Sequence, residues 1–370
     1  MKTEAATKER SKFIALLDSI SAGNVYFVTG KNGSGKSRFF AYATQTMCEA
    51  QLTAAPQTSR LLCLSGTMHD KYPRIIYKYS PEIGGVVYLG NKVNNNMVSD
   101  IAPFRTLCYH MVRNASAKEY LFHARSVMER LNFDQRIKLK FRYAKNRKVE
   151  AFGAVDPQVD YVLDTFKNDP RLMDRYLEHI SAGNILLADM CFFRNQEEYG
   201  LDELSSGEKQ YALALLGFIF CGSRNSVVFY DEPENSLHPS WQLSIVKDLA
   251  EVASDFHHGS TLIVATHSPL IASSVRNGSV YVCDLPAGQN WQRSDLYGRT
   301  SDTVLREQFH LFSARSPEVA KIINTCLTYI SRNQTGGDEF HQAQDQLRSY
   351  NLDLTPDDPL YEVVTTIMRF

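Results

Sequence analysis

Residues 25–40 read VYFVTGKNGSGKSRFF. Val25 to Thr29 is a short apolar, β-prone run, and the glycine-rich turn after it opens directly into a helical pattern. Gly30, four intervening residues and then Gly35-Lys36-Ser37 give the spacing of a phosphate-binding loop, in the strand-to-helix setting that such a loop requires. Glycines let the backbone turn so tightly that successive N–H groups face one anion, and the positive end of the following helix adds to the attraction. In such a loop Lys36 neutralises the β- and γ-phosphates of a nucleotide, and the Ser37 hydroxyl ligates Mg²⁺. Alone, the same residues also describe a glycine-rich turn with an incidental lysine.

Downstream, SVVFYDEPENSLHP (226–239) is a buried strand pattern that ends in two adjacent acids, Asp231 and Glu232. Neighbouring buried carboxylates repel and are costly to desolvate, so a cation or a proton-transfer task is expected beside them. The plainer alternative is a strand followed by an acidic turn. Before it, LSSGEKQ (204–210) opens an unusually apolar helix, and its hydroxyls and unpaired N–H groups either cap that helix or receive an anion. After it, GSTLIVATHSP (259–269) is a buried strand running into His267, a residue that is structural in most such places but hydrogen-bonds readily at neutral pH.

Composition narrows the class. Forty basic against 41 acidic residues leave no global field for nucleic acid or an anionic membrane, so any such contact must be local. Seven scattered cysteines without a CxxC spacing argue against a disulfide framework or a zinc site, and suit a reducing compartment. No apolar run approaches the roughly 20 residues of a membrane span, and MKTEAATKERSK lacks the core of a signal peptide. A soluble, cytoplasmic protein without a membrane partner is expected.

Four regions follow from the patterns. The first, 1–100, holds a helix over 8–20 with Phe13, Ile14, Leu17 and Ile20 on one stripe, the phosphate-loop unit, and strands at 60–66 and 85–90. Its Asn94–Asn96 run is either a phosphate-sensing amide cluster or a plain turn. The second, 101–200, is expected to be an inserted, mostly helical subdomain, with DYVLDTFKNDPRLMDRYLEHI a helix broken at Pro170. Within it Arg136, Lys138, Lys140 and Arg142 alternate with apolar residues, giving a strand with one basic face that turns near Lys145 and Asn146 into a hairpin. That face either tracks a nucleic-acid backbone or an acidic partner, or is a solvated strand using lysine against edge pairing. The third region, 201–290, carries LSSGE, the acid pair and His267. The fourth, 291–370, is helical: a short run DTVLREQF, then a helix with Ser316 as N-cap, Pro317 first, and Val319, Ile322, Ile323, Cys326, Leu327 and Ile330 along one face. That face must pack on the chain's own lobe or on a partner.

The order of motifs is more specific than any one of them. Phosphate loop, LSSGE, a strand ending in Asp-Glu, a proline-containing turn and a strand ending in histidine together resemble the ATP-binding-cassette superfamily. Within it, the series is similar to the soluble branch that includes Rad50, SMC, RecF and the OLD-type ATPases. DEPENSLHP and TLIVATHSP look most like OLD-like bacterial ATPases of anti-phage defence, including the ATPase subunits of Septu-type and retron systems. The resemblance covers 20–95, 200–285 and the tail, and leaves the 101–200 insert unmatched.

The resemblance implies an α/β P-loop NTPase of ABC type and the cofactors ATP and Mg²⁺. It places Gly30, Asn32, Gly33, Ser34, Gly35, Lys36, Ser37 and Arg38 in the Walker A loop. Ser37 and Asp231 become the metal-holding residues, Glu232 the general base, and His267 the switch histidine at the γ-phosphate. Ser205, Ser206, Gly207 and Glu208 match the signature motif, which in the family binds ATP held by the other protomer. A head-to-tail homodimer, or a higher even-numbered oligomer, is therefore implied, with Asn235 to His238 facing the partner's signature. Two features depart from the pattern: Ser206 precedes the signature glycine, and His238 stands where the family's D-loop has aspartate. The glutamine-loop equivalent is unassigned. The leading expectation is an ATP-hydrolysing switch for a partner effector, a nuclease or retron component, in anti-phage defence. A DNA-repair ATPase and a transporter's nucleotide-binding subunit are the alternatives.

Overall fold

The computed structural model describes residues 2–53, 60–68, 70–77, 85–94, 97–144, 155–164, 168–276, 279–294, 296–299, 304, 317–332, 334–350, 352, 354 and 360–370. The chain divides into two units, Met1–Arg299 and Thr300–Phe370.

The first unit begins with α1 (Lys2–Asp18), β1 (Val25–Thr29), α2 (Lys36–Thr53), β2 (Leu61–Ser65), α3 (Arg74–Tyr77) and β3 (Val86–Leu89). A small hairpin, β4 (Lys92–Asn94) and β5 (Met97–Val98), leads to α4 (Ala102–Arg113), α5 (Lys118–Arg130), β6 (Arg136–Tyr143), β7 (Gln158–Val162), α6 (Pro170–Ser181), β8 (Ile185–Arg194) and β9 (Glu197–Tyr199). The chain then returns through α7 (Ser206–Cys221), β10 (Val227–Asp231), α8 (Pro239–Asp255), β11 (Thr261–Ala265), α9 (Pro269–Ala272), β12 (Val280–Asp284) and β13 (Gln292–Arg293).

Among the described residues the central sheet has seven strands in the order β13-β12-β1-β11-β10-β2-β3. All pairings are parallel except that of β12 with β13. Parallel strands covered on both faces need apolar residues at successive positions, which is why VYFVT, VVFYD and TLIVA are nearly continuous hydrophobic runs. Their side chains still alternate. Val25 and Phe27 enter the apolar cluster that includes α4, α5, α7 and α8, whereas Tyr26 and Val28 enter the opposite cluster with α1 and α2.

The 101–200 span is mixed rather than mostly helical. Besides α4, α5 and α6 it holds a four-stranded antiparallel sheet, β7-β6-β8-β9. Ile137, Leu139 and Phe141 of β6 belong to the same apolar cluster as one face of the central sheet. The helix expected to run through 160–180 begins only at Pro170, with Asp169 as N-cap accepting from the Arg171 N–H at 3.0 Å. Proline there starts a helix because its fixed φ suits the first turn. Upstream, Tyr161 is buried on β7 with its hydroxyl donating to the Met111 carbonyl at 2.9 Å, a period-2 strand where a period of 3.6 was expected. In α1 the stripe also shifts: Phe13 and Leu16 are buried, and Ile14 faces solvent.

The second unit contains α10 (Pro317–Ser331), α11 (Asp338–Ser349) and α12 (Tyr361–Arg369). Val319, Ile322, Ile323 and Cys326 of α10 pack with Phe340, Leu347, Val364 and Ile367 of this same unit, so the apolar face finds its partner there. Leu327, placed on that face from its spacing, is exposed. The DTVLREQF run apart from Val304, the Ser316 cap, Asn95 and Asn96, and the Lys145–Asn146 turn lie outside the described residues.

Candidate functional site

Register brings the motifs to one place. Val28 of β1 pairs with Ala265 of β11, and Ala265 with Asp231 of β10, so three adjacent central strands end level. The loop 30–35, the carboxylates 231–232 and His267 all follow from those ends. Ligands of open α/β sheets bind outside the carboxyl ends of the strands for this reason.

In the loop, Gly30, Gly33 and Gly35 have φ of 137°, 83° and 113°, a left-handed region that side chains rarely tolerate. A Cβ on Gly30 would also run into the Leu285 carbonyl and come within 2.6 Å of Ser34 Oγ. Lys36 is buried, and its Nζ donates to the Gly30 carbonyl at 2.8 Å. Ser37 is half-buried in the first turn of α2, Asn32 is exposed, and Arg38 pairs with Glu9 at 3.1 Å. Ser34 Oγ is buried and, among the described residues, has no hydrogen-bond partner. That is an orphaned donor in a phosphate-loop cradle.

Asp231 is buried, and its Oδ1 likewise has no partner. Burial, with Glu232 and Asp70 adding like charge and Lys36 opposing them, pushes its carboxyl up to about 7. A divalent cation beside Oδ1 relieves this penalty, so the residues fit Mg²⁺. Among the described residues no group of three or more His, Cys, Asp or Glu forms a cage, and Mg²⁺ commonly takes one or two protein ligands and completes its shell with water and phosphate. When bound, the ion would supply charge neutralisation between the phosphates.

Glu232 sits in a left-handed conformation, φ 48°, with its N–H donating to the Ala265 carbonyl at 2.9 Å. Its side chain is steadied by Asn235, whose Nδ2 donates to Oε2 at 3.2 Å. Strain of this kind, held in place by surrounding bonds, turns a carboxylate out of the strand direction. Glu232 Oε1 lies 3.9 Å from His267 Nδ1. Closer to the histidine is Glu234, whose Oε1 accepts the His267 N–H at 2.6 Å and stands 2.9 Å from Nδ1. Hydrogen bonding to Glu234 raises His267 above the ordinary histidine range against the opposing effect of burial.

The signature segment is joined to the turn after Glu232. Ser205 caps α7: its Oγ accepts the Glu208 N–H at 3.2 Å, while Glu208 Oε2 accepts the Ser205 N–H at 2.9 Å. Ser205 and Ser206 are exposed, and Gly207 is buried so close to the turn that a Cβ would stand 2.8 Å from the Ser236 carbonyl. His238 caps α8, with Nδ1 accepting the Ser240 N–H at 3.3 Å.

On the basic strand, Lys138 and Lys140 both pair with Glu198, Lys140 at 2.7 Å. Arg136 lies over Phe193 at 3.8 Å and faces Asp160 at 3.9 Å; Arg142 is exposed. Much of this face is thus met by its own sheet.

Sequence reasoning missed Glu234, the Asn235–Glu232 bond and Gln210, whose Nε2 donates to Tyr230 Oη at 3.1 Å and to the Pro233 carbonyl at 2.8 Å. The available signal was a second acid two positions past Glu232. It stood in the quoted stretch, where only the adjacent pair Asp231 and Glu232 drew a task.

Strand order, loop and carboxylate pair define a mixed α/β fold with a parallel-rich sheet, a P-loop-type strand–loop–helix unit and a helical C-terminal region. Residues 116–273 match the family described as "AAA domain, putative AbiEii toxin, Type IV TA system", a span that takes in the signature segment, the acid pair and His267 and begins beyond the P-loop. No curated protein matches the sequence. Among solved structures, a metal-chelate type ABC transporter in an inward-facing conformation aligns over 79% of this chain and 81% of its own, at 13% identity and a TM-score of 0.30. UvrA2 from Deinococcus radiodurans aligns over 80% of this chain and 36% of its own, at 16% identity and a TM-score of 0.33. No described helix is long and apolar enough to cross a membrane.

Proposed function

We propose that the chain is an ATP-binding and ATP-hydrolysing subunit that dimerises head-to-tail around ATP and switches a partner effector. One observation carries this reading: Lys36, Asp231, Glu232 and His267 converge at the level ends of three central strands, while the signature residues Ser205 and Ser206 stand exposed on a capped helix. Asp231 and Ser37 hold Mg²⁺, and Lys36 with the loop N–H groups binds the β- and γ-phosphates. Glu232 takes a proton from the attacking water, and His267 meets the γ-phosphate. Ser205, Ser206, Gly207 and Glu208 of one protomer close over ATP held by the other. Binding energy from two enclosed triphosphates is ample for a population shift between separated and joined states. Anti-phage defence is the setting this reading takes, from the likeness of DEPENSLHP and TLIVATHSP to OLD-like ATPases.

The experiment is a pair of variants. Glu232→Gln gives a dimer that forms with ATP and Mg²⁺ in light scattering and hardly turns over. Ser206→Arg loses hydrolysis while one chain still binds nucleotide. Wild-type steady-state rates in Glu232→Gln exclude the assignment of the base, and a fully active Ser206→Arg excludes the composite site.

A further inference from the structure

The turn after β10 presents a second carboxylate that none of the P-loop motifs accounts for. Glu234 is buried, yet Oε1 takes two bonds from a single residue: the His267 N–H at 2.6 Å and the Nδ1 contact at 2.9 Å. Oε2 is buried and, among the described residues, has no partner. A buried carboxylate with one oxygen unpaired is costly unless a cation stands beside it. His267, exposed at its outer side, is the group in contact that can become one.

We propose that Glu234 is a positioning residue that clamps the His267 ring by its backbone and Nδ1, so that Nε2 carries a proton toward the terminal phosphate. This rests on the ATPase reading above. The chemistry follows from the acceptor. A carboxylate has no proton to give, so Nδ1 must donate, and a neutral ring would then present a bare lone pair at Nε2 to an anion. A ring charged by Glu234 presents N–H at both positions and attracts the phosphate. The charged groups acting on His267 are Glu234 and Glu232 from the turn and Lys36 from the head of α2, and the two acids oppose the lysine. Glu234 takes the histidine at 2.9 Å, whereas Glu232 Oε1 stands off at 3.9 Å and its Oε2 is held by Asn235.

The test uses the full-length protein and two independent readouts. In nucleotide-free samples, the His267 ring signals, identified by their loss in His267→Ala, are followed by heteronuclear NMR against pH. The expected wild type protonates above the ordinary histidine range with Nδ1 carrying the proton, and Glu234→Gln lowers the midpoint by about one unit. In steady-state hydrolysis Glu234→Gln lowers kcat about tenfold or more with KM nearly unchanged, Glu234→Asp recovers part of it, and Glu234→Gln adds nothing to His267→Ala. An unmoved His267 midpoint overturns the proposal, as does a Glu234→Gln loss that persists undiminished in the His267→Ala background. Failure of the ATPase reading looks different: wild type does not hydrolyse ATP, whereas the NMR titration still decides whether Glu234 governs His267.

Discussion

Arg194, the last residue of β8, donates to Glu208 Oε1 at 2.7 Å and so ties the antiparallel sheet to the first turn of α7. Its guanidinium also reaches the Asn132 carbonyl at 3.2 Å and lies over Phe133 at 4.8 Å, while the other Glu208 oxygen accepts from Ser205. Burial alone would raise the Glu208 carboxyl, but hydrogen bonds from Arg194 and Ser205 outweigh it and hold the group below its ordinary value. A depressed folded value stabilises the protein above the unfolded carboxyl range, and the contribution is lost as pH falls through the folded value. Arg194→Ala is therefore expected to cost about 1 kcal/mol in urea unfolding at neutral pH. The difference from wild type should shrink as the titration moves into acid; a difference independent of pH would place the loss in packing on Phe133 instead.

Asp231 titrates in the opposite sense. Its buried carboxyl is pushed up to about 7, so the folded state favours the protonated form. The benefit is complete below the unfolded value and is lost as pH rises through the folded one. In EDTA, Asp231→Asn should melt higher than wild type, with a gap that widens from pH 5 to pH 8 and reaches a few kcal/mol (order of magnitude). Adding Mg²⁺ and ATP should raise the wild-type melting temperature and leave the variant's nearly unmoved. Equal melting curves in EDTA across that range would mean that water reaches Oδ1.

The central sheet was legible because each of its strands but β13 is a short apolar run bounded by turn residues, and the P-loop because its glycines stand where positive φ is needed. Asp231, Glu232 and His267 were legible as strand ends. Glu234 was not, since two acids separated by a proline can point anywhere until the left-handed Glu232 backbone fixes the turn. The β7 strand was hidden for another reason: DYVLD satisfies helical and strand periods over so few residues, and only pairing with β6 decides between them. Leu327 misled by spacing alone, because the partners that choose the buried face of α10 come from α11 and α12.

Gly207 meets the turn after Glu232 without room for a methyl group. A Cβ there would lie 2.8 Å from the Ser236 carbonyl and 3.0 Å from the Trp241 ring. Backbone and a packed indole do not yield easily, so Gly207→Ala should cost about 1–3 kcal/mol in thermal unfolding. It should also lower ATP turnover, because the helix that carries Ser205 and Ser206 must move off the turn that carries Glu232. A variant with wild-type stability would show that the turn gives way freely.

The basic face of β6 is the last feature whose use can be decided by charge. Hydrogen bonds from Lys138 and then Lys140 pull the Glu198 carboxyl down to about 2, so at neutral pH one acid serves two lysines. Being mostly solvated, this cluster should add under about 1 kcal/mol to stability. Its larger effect is on partners, because each lysine engaged by Glu198 is withheld from a phosphate backbone. Fluorescence anisotropy with duplex DNA at low salt should show weak binding by wild type and tighter binding by Glu198→Gln, with the slope of log affinity against log salt steeper by about one to two. If instead wild type already binds tightly with a slope that needs all four of Arg136, Lys138, Lys140 and Arg142, and Glu198→Gln changes nothing, nucleic acid displaces the acid and the face is a true binding strand.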